Sequence, residues 1–224
     1  MITNLVGDEL EEVALIKLWE GDVAGFNGSI YGIPACAHRV VKSNLFGKSI
    51  AYIEPDFGRG YKWCKGAITD SGVIYKYCVP NTGRGILKID TNTDTVTELD
   101  ANLLPERDNN KWLSCAAAPD GCVYCMPATA SHILKVDPNN EDAMSSVGDI
   151  SLGGDGFQKK YIGTVVGIDG CIYGMPSYYN RNLKYDPNNA IISFVGEEIN
   201  RFRFYLRRKW CFGKRRMYLC ILSI

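Results

Sequence analysis

Histidine is scarce in this chain: His38 and His132 are the two present among 224 residues, and neither stands near a fixed Asp or Ser signature. A nucleophilic triad therefore has no support in the sequence. Net charge is lacking too, since 25 basic residues balance 25 acidic ones. No run of 18 apolar residues exists, which excludes an ordinary transmembrane helix. The acidic start MITNLVGDELEEVA has neither the basic nor the apolar segment of a signal peptide. A soluble, cytoplasmic protein is expected. Helical periodicity is almost absent as well. In its place stand 23 glycines, 9 prolines and 13 tyrosines, the marks of short strands joined by tight turns. At 46% hydrophobic residues, the chain can bury a sizeable core as one domain.

The zero net charge hides an asymmetry. Residues 201–224 hold eight cations and no acid, leaving 17 basic against 25 acidic residues elsewhere, near −8. An acidic body does not steer nucleic acid toward itself, so neither a nucleic-acid nor a membrane partner is expected. The arginines that alternate with aromatics in RFRFYLRR offer the one contrary signal, a basic tail suited to an anionic surface. The nine cysteines are an odd number spread along the chain. Cys122 and Cys125 form a C-x-x-C, but on a strand they point to opposite faces, and no second pair lies at zinc-ribbon spacing. Reduced, buried thiols fit a cytosolic setting, and no metal or cofactor is expected.

What the chain does have is a repeat. GSIYGIP at 28–34, GVIYKYCVP at 72–80, GCVYCMP at 121–127 and GCIYGMP at 170–176 end on Pro34, Pro80, Pro127 and Pro176, spaced 46, 47 and 49 residues apart. An aromatic residue stands 12 before the tyrosine each time: Trp19 to Tyr31, Trp63 to Tyr75, Trp112 to Tyr124, Tyr161 to Tyr173. Lysine precedes three of them directly. A polar turn residue follows each proline by 10: Asn44, Asp90, Asp137 and Asp186. Repeats of this period are read before any single residue.

Turn residues divide each unit into four strands, A to D, and a four-stranded antiparallel unit of this length is a propeller blade. An all-β β-propeller is the expected fold, with four recognisable blades at about 17–62, 63–111, 112–160 and 161–199, as an incomplete or fragment propeller. TNLVGD at 3–8 matches a closing D strand and reads as a leading outer strand. Residues 201–224 read as a basic tail and as a frame-shifted fifth repeat, since RKWCFG echoes YKWCKG and one base of shift turns Met-Tyr-Leu-Cys-Ile into Cys-Ile-Tyr-Val, the residues of the repeat. Open propeller edges predict oligomerisation.

The pattern K-W-x-G, D-G-x-I-Y-G-I-P, L-K-I-D-P, V-G-D resembles a tandem β-propeller repeat family of algae and protists, over residues 3 to about 199. That resemblance implies a β-propeller with no assigned catalytic residues. Asn44 in place of aspartate, two extra residues before Cys78, and Tyr161 in place of tryptophan depart from the pattern.

A–B and C–D turns are short and nearly alike from copy to copy, whereas B–C and D–A connections differ. Both variable sets emerge at one end of an antiparallel meander, and function favours variable loops on a regular scaffold. The expected role is a binding or scaffold module that takes a protein or small ligand through His38, Arg84, His132, Tyr178, Tyr179 and Arg181, because aromatic and arginine side chains anchor recognition. The alternative is a metal-dependent, lactonase-like hydrolase holding a cation in the central channel, with Asp56, Glu106, Asp108 and Asp155 as candidate oxygen ligands, none in a motif of matching spacing. Enzyme is the weaker reading. Each blade's aromatic should pack between neighbouring sheets, with high burial at Trp19, Trp63, Trp112, Ile74, Val123 and Ile172.

Overall fold

The computed structural model describes residues 18–44, 46–70, 73–78, 85–99, 111–149 and 159–198, with backbone alone at 73–78 and 149. The expected leading strand at 3–8, the tail at 201–224, Arg84, Glu106, Asp108 and Asp155, and the side chains of Ile74 and Tyr75, lie outside them.

Sixteen strands form four antiparallel sheets, each a meander in chain order. Blade 1 holds β1 (Trp19–Ala24), β2 (Ser29–Pro34), β3 (Val40–Asn44) and β4 (Ser49–Ile53). Blade 2 holds β5 (Trp63–Ile68), β6 (Val73–Cys78), β7 (Ile86–Asp90) and β8 (Thr95–Leu99). Blade 3 holds β9 (Trp112–Ala117), β10 (Val123–Pro127), β11 (His132–Asp137) and β12 (Ala143–Asp149). Blade 4 holds β13 (Tyr161–Val166), β14 (Ile172–Pro176), β15 (Asn182–Asp186) and β16 (Ile191–Val195). The first strands lie side by side, β5 between β1 and β9, and β9 between β5 and β13. Among the described residues, no helix is long and apolar enough to cross a membrane.

The repeated tyrosine and lysine are cross-strand partners. Tyr31 faces Lys42, Tyr75 faces Lys88, Tyr124 faces Lys135 and Tyr173 faces Lys184. Directly opposed side chains on one face interact most strongly, and the Lys42, Lys135 and Lys184 ammonium groups stand 5.6–6.0 Å from their tyrosine ring centres. Two lysines reach further: Lys42 donates to Asp94 at 2.6 and 2.8 Å, and Lys88 to Asp142. Each of these pairs joins one blade to the C–D turn of the next.

The polar residue 10 after the proline closes that turn by accepting a backbone N–H two residues on: Asn92 to Asp90, Asn139 to Asp137 and Asn188 to Asp186. Asn44 does the same work for Phe46 and Gly47, so the missing aspartate of the first copy costs the turn nothing. In the A–B turns, Gly121 and Gly170 take φ of 82° and 75°, where only glycine is unstrained. Asp120 and Asp169 beside them cap Cys122 N and Cys171 N and accept the hydroxyls of Tyr124 and Tyr173 at 2.7 and 2.8 Å.

Between blades lie three apolar cores. Trp63 packs with Tyr31, Ile33, Val40, Leu87 and Ile89; Trp112 with Ile86, Val123, Cys125, Leu134 and Val136; Tyr161 with Tyr124, Met126, Ile133, Ile172 and Leu183. Cys125 sits in the second core and Cys122 in the third, the opposite-face placement that excludes a two-cysteine site. Burial and the Asp120 charge push the Cys122 thiol up to about 11, so it stays protonated and inert. Trp63, Trp112, Val123 and Ile172 are all but fully buried. Trp19 is not: it is half-buried, because no described blade precedes it. Its ring stacks instead on Tyr52, centres 6.3 Å apart.

The indole N–H explains why tryptophan recurs. It donates to the carbonyl just before or at the start of the C strand in blades 1 to 3, Arg39, Gly85 and His132, at 2.9–3.0 Å. Blade 4 replaces this bond with the ring of Tyr161, whose buried hydroxyl has no partner among the described residues. There the following glycine matters, because a Cβ on Gly174 would stand 3.2 Å from both Met126 and Tyr161.

Candidate functional site

The repeated bonds at the A–B and C–D turns leave the other end, where B–C and D–A loops emerge, as the candidate site. The residue before each A strand builds its floor. Leu18 O accepts from Ala35, Cys36 and Ala37 N at 2.8–3.0 Å, Lys111 O from Ala128 N at 2.7 Å, and Lys160 O from Ser177 N at 2.7 Å. Lys62 N and Lys160 N donate onward to Ala35 O and Ala128 O in the preceding blade at 2.8 and 2.9 Å. The lysine side chains finish the work. Lys62, fully buried, donates to Gly58 O and Gly60 O at 2.8 and 3.1 Å, and Lys160 to Thr129 O at 3.2 Å. Burying an ammonium is costly unless carbonyls replace water, and these loop carbonyls do so. The signal for this role was the K-W pair itself, which repeats without any surface reason to.

Above that floor the loops carry side chains peculiar to each blade. In blade 1, His38 Nδ1 lies 3.1 and 3.2 Å from the two carboxylate oxygens of Asp56. An ionised carboxylate only accepts, so Nδ1 carries a proton toward Asp56. Arg39 closes the group, its Nε 2.9 Å from Glu54 and an Nη 3.4 Å from Asp56. The Gly58 N–H, first, and then His38 and Arg39 hold the Asp56 carboxyl below the usual carboxylate range. Asp56 is thus the one candidate metal ligand among the described residues, and its oxygens are already engaged. No three His, Cys, Asp or Glu side chains cluster in a way that could hold a metal ion among the described residues.

Blade 4 presents a different group. Tyr178 is exposed. Tyr179 lies between Tyr161 and Phe194, ring centres 5.9 Å from each. Arg181 pairs with Glu198 at 3.0 Å. His132, by contrast, belongs to the scaffold: its ring sits edge-on to Trp112 at 5.3 Å, and its carbonyl takes the indole N–H. The sequence-expected residues therefore fall into separate groups, each bonded within its own blade. Arg39, Glu54 and the lysine floor were not among them.

Against solved structures, a catalytically inactive virginiamycin B lyase from Staphylococcus aureus with quinupristin matches at a TM-score of 0.62 and 14% identity, over 79% of this chain and 54% of that one. A streptogramin B lyase gives 0.59 at 15% identity, over 80% and 53%. The fold is a β-propeller. The extracellular domain of a putative one-component system from B. thetaiotaomicron also matches, at 0.58 and 14% identity, over 81% of this chain and 22% of that one. The chain spans about half the length of the two lyases it matches. No protein-family model and no curated protein matches the chain.

Proposed function

We propose that this propeller is a binding or scaffold module that takes a protein or small ligand on its loop end. The contrast between the two ends carries the reading. At the turn end, Tyr31, Tyr124, Tyr173, Lys42, Lys88 and Lys184 are each consumed by a turn aspartate, that of the next blade for Tyr31, Lys42 and Lys88 and that of the same blade for Tyr124, Tyr173 and Lys184. At the loop end the side chains change from blade to blade, and Tyr178, 50% exposed, follows directly on Ser177, whose N–H is held by Lys160 O, with Arg181 close behind. Exposed aromatic and arginine side chains on a rigid floor are what recognition uses. The fold does not choose among ligands, since one architecture hosts many activities.

A panel of small acids, amines, sugars and short peptides, read by thermal shift on the whole chain, tests this. Ligands that stabilise the wild type should lose at least about tenfold in affinity in Tyr178→Ala, Arg181→Ala or His38→Ala, and keep it in the turn-end variant Lys184→Met. Ligands whose binding survives all three loop substitutions and fails in Lys184→Met would overturn the reading.

A further inference from the structure

The inner wall, where the A strands lie side by side, carries one residue that the repeat does not account for. Every A strand has a β-bulge directly after its aromatic: pairing with the B strand jumps from Trp19 to Asp22, from Trp63 to Gly66, from Trp112 to Ser114 and from Tyr161 to Gly163, each time with one residue more on the A strand than on its partner. Bulges re-aim side chains and gather next to functional sites. These four follow directly on the residues that build the loop-end floor. The second residue after the aromatic is Gly21, Lys65, Ser114 and Gly163 in turn, and Gly21 takes a φ of 89°. Lys65 also takes a positive φ, 26°, without glycine's freedom to do so. The other non-glycine residues with positive φ among the described residues, Lys48, Asp94, Glu141, Asp142 and Ala190, all lie in C–D turns. Lys65 alone is strained on a strand, and such strain clusters where a ligand is held.

Position and charge say what this part of the wall suits. β5 has β6 along its outer edge and β1 and β9 on its two sides, so the exposed Lys65 reaches solvent at the inner wall. Lys42, Lys62, Lys88, Lys160 and Lys184 are all engaged, whereas Lys65 has no hydrogen bond or ion pair among the described residues. It is the one base on the four A strands. The two acids there, Glu20 and Asp22, are both on β1, while the Lys65 bulge leans to blade 3: the adjoining Cys64 thiol donates to Leu113 O at 3.7 Å. Leu113 and Ile162 occupy the bulges of blades 3 and 4, half-buried and part of none of the three cores. An ammonium beside two aliphatic side chains suits an anion with an apolar body, and the acids one strand away disfavour a second negative charge on it.

We propose that Lys65, Leu113 and Ile162 form a binding site for an apolar monocarboxylate on the inner wall, the ammonium holding the carboxylate and the two aliphatic side chains its hydrocarbon. This rests on the loop-end reading and gives the ligand of that end a class. A lysine that satisfies no group of its own chain keeps its charge-assisted hydrogen bonds for the ligand. The strained backbone is what placing a cation at the repeat's glycine position requires.

Calorimetric titration of the full chain with hexanoate, its neutral isostere hexanamide and inorganic phosphate tests the site. Hexanoate should bind, with hexanamide and phosphate each roughly tenfold weaker or more, the worth of one charge-assisted contact. Lys65→Met should bring hexanoate down to the level of hexanamide, Lys65→Arg should keep the preference, and Leu113→Ala should weaken both ligands alike. Lys65→Gly adds a readout independent of binding: it should lose hexanoate as Lys65→Met does, yet melt no lower than the wild type without ligand, because glycine takes the positive φ unstrained. Hexanoate binding unchanged in Lys65→Met, hexanamide or phosphate binding as tightly as hexanoate, or no hexanoate binding at millimolar concentrations would overturn the proposal. Tyr178→Ala separates it from the broader reading. Ligands that lose affinity in Tyr178→Ala and not in Lys65→Met would remove this site and leave the loop end standing, whereas hexanoate binding that depends on Lys65 and on none of Tyr178, Arg181 and His38 would keep this site and remove those loop side chains.

Discussion

Trp112 and Trp19 hold the same place in their repeats and make the same bond, each indole donating to a carbonyl 20 residues on, at 2.9 and 3.0 Å. Their surroundings differ. Trp112 is 1% exposed in the core between blades 2 and 3, while Trp19 is half-buried and stacks on Tyr52. A repeat thus fixes geometry within a blade, but the neighbour fixes how much that geometry is worth. Trp112→Ala should cost about 3–5 kcal/mol in urea unfolding, the usual range for deleting a buried aromatic. Trp19→Ala should cost half of that or less at low protein concentration. Equal costs would mean that the outer face of blade 1 is as well covered as an interior one.

The same comparison extends to charge. Asp94 ties blade 2 to Lys42 of blade 1, and Asp169 ties Lys184 within blade 4. Burial alone would raise the Asp94 carboxyl, but hydrogen bonds from Lys42 and Tyr31 outweigh it and hold it below its ordinary value of 3.8. Lys184 first, then Tyr173, hold Asp169 low. Both groups have a folded pKa below the unfolded one, so their stabilisation is present above about pH 4 and is lost as pH falls through the depressed values. Melting temperature should therefore fall on the acid side, and Lys42→Met or Lys184→Met should each make that fall shallower. At neutral pH, Lys42→Met should cost on the order of 1 kcal/mol or less, because the pair is partly solvated. An acid limb unchanged in both variants would remove these pairs from the account of stability.

Much of this was legible in the sequence, because a propeller blade is built from local meanders and each blade repeats the test. The spacing of Tyr31 and its copies gave the strand order, and the glycines of PDG and IDG gave the A–B turns. Asn44 looked like a departure and is not one, since its Oδ1 caps as aspartate does. Other features were out of reach for a physical reason: they depend on what lies next door. Trp19 carries the same local motif as Trp112, and nothing local says that its blade faces no described neighbour. The Arg39–Glu54–Asp56 group joins a B–C loop to a D–A loop that share no repeat position with their copies. For the candidate site, the sequence pointed to one end of the molecule. It did not separate His132, which braces Trp112, from His38, which faces Asp56.

The smallest expected effect lies at the repeat's own exception. Tyr161 fills the tryptophan position of blade 4 and packs between Tyr124, Met126 and Ile172, with Tyr179 5.9 Å away. Its hydroxyl is buried with no hydrogen-bond partner among the described residues, and burial, with Tyr179 adding to it, pushes its pKa up. A buried hydroxyl without a partner has lost water and gained nothing, whereas the ring beneath it contributes the packing. Tyr161→Phe removes that hydroxyl and keeps the ring, so it should leave stability unchanged or raise it by up to about 1 kcal/mol, read as a small rise in the urea midpoint at constant slope. Trp112→Phe is the control: it gives up an indole N–H that does have an acceptor in His132 O, so it should destabilise. If Tyr161→Phe costs as much as Trp112→Phe, the Tyr161 hydroxyl has an acceptor outside the described residues, and blade 4 is tied to that segment as firmly as blades 1 to 3 are tied through their indoles.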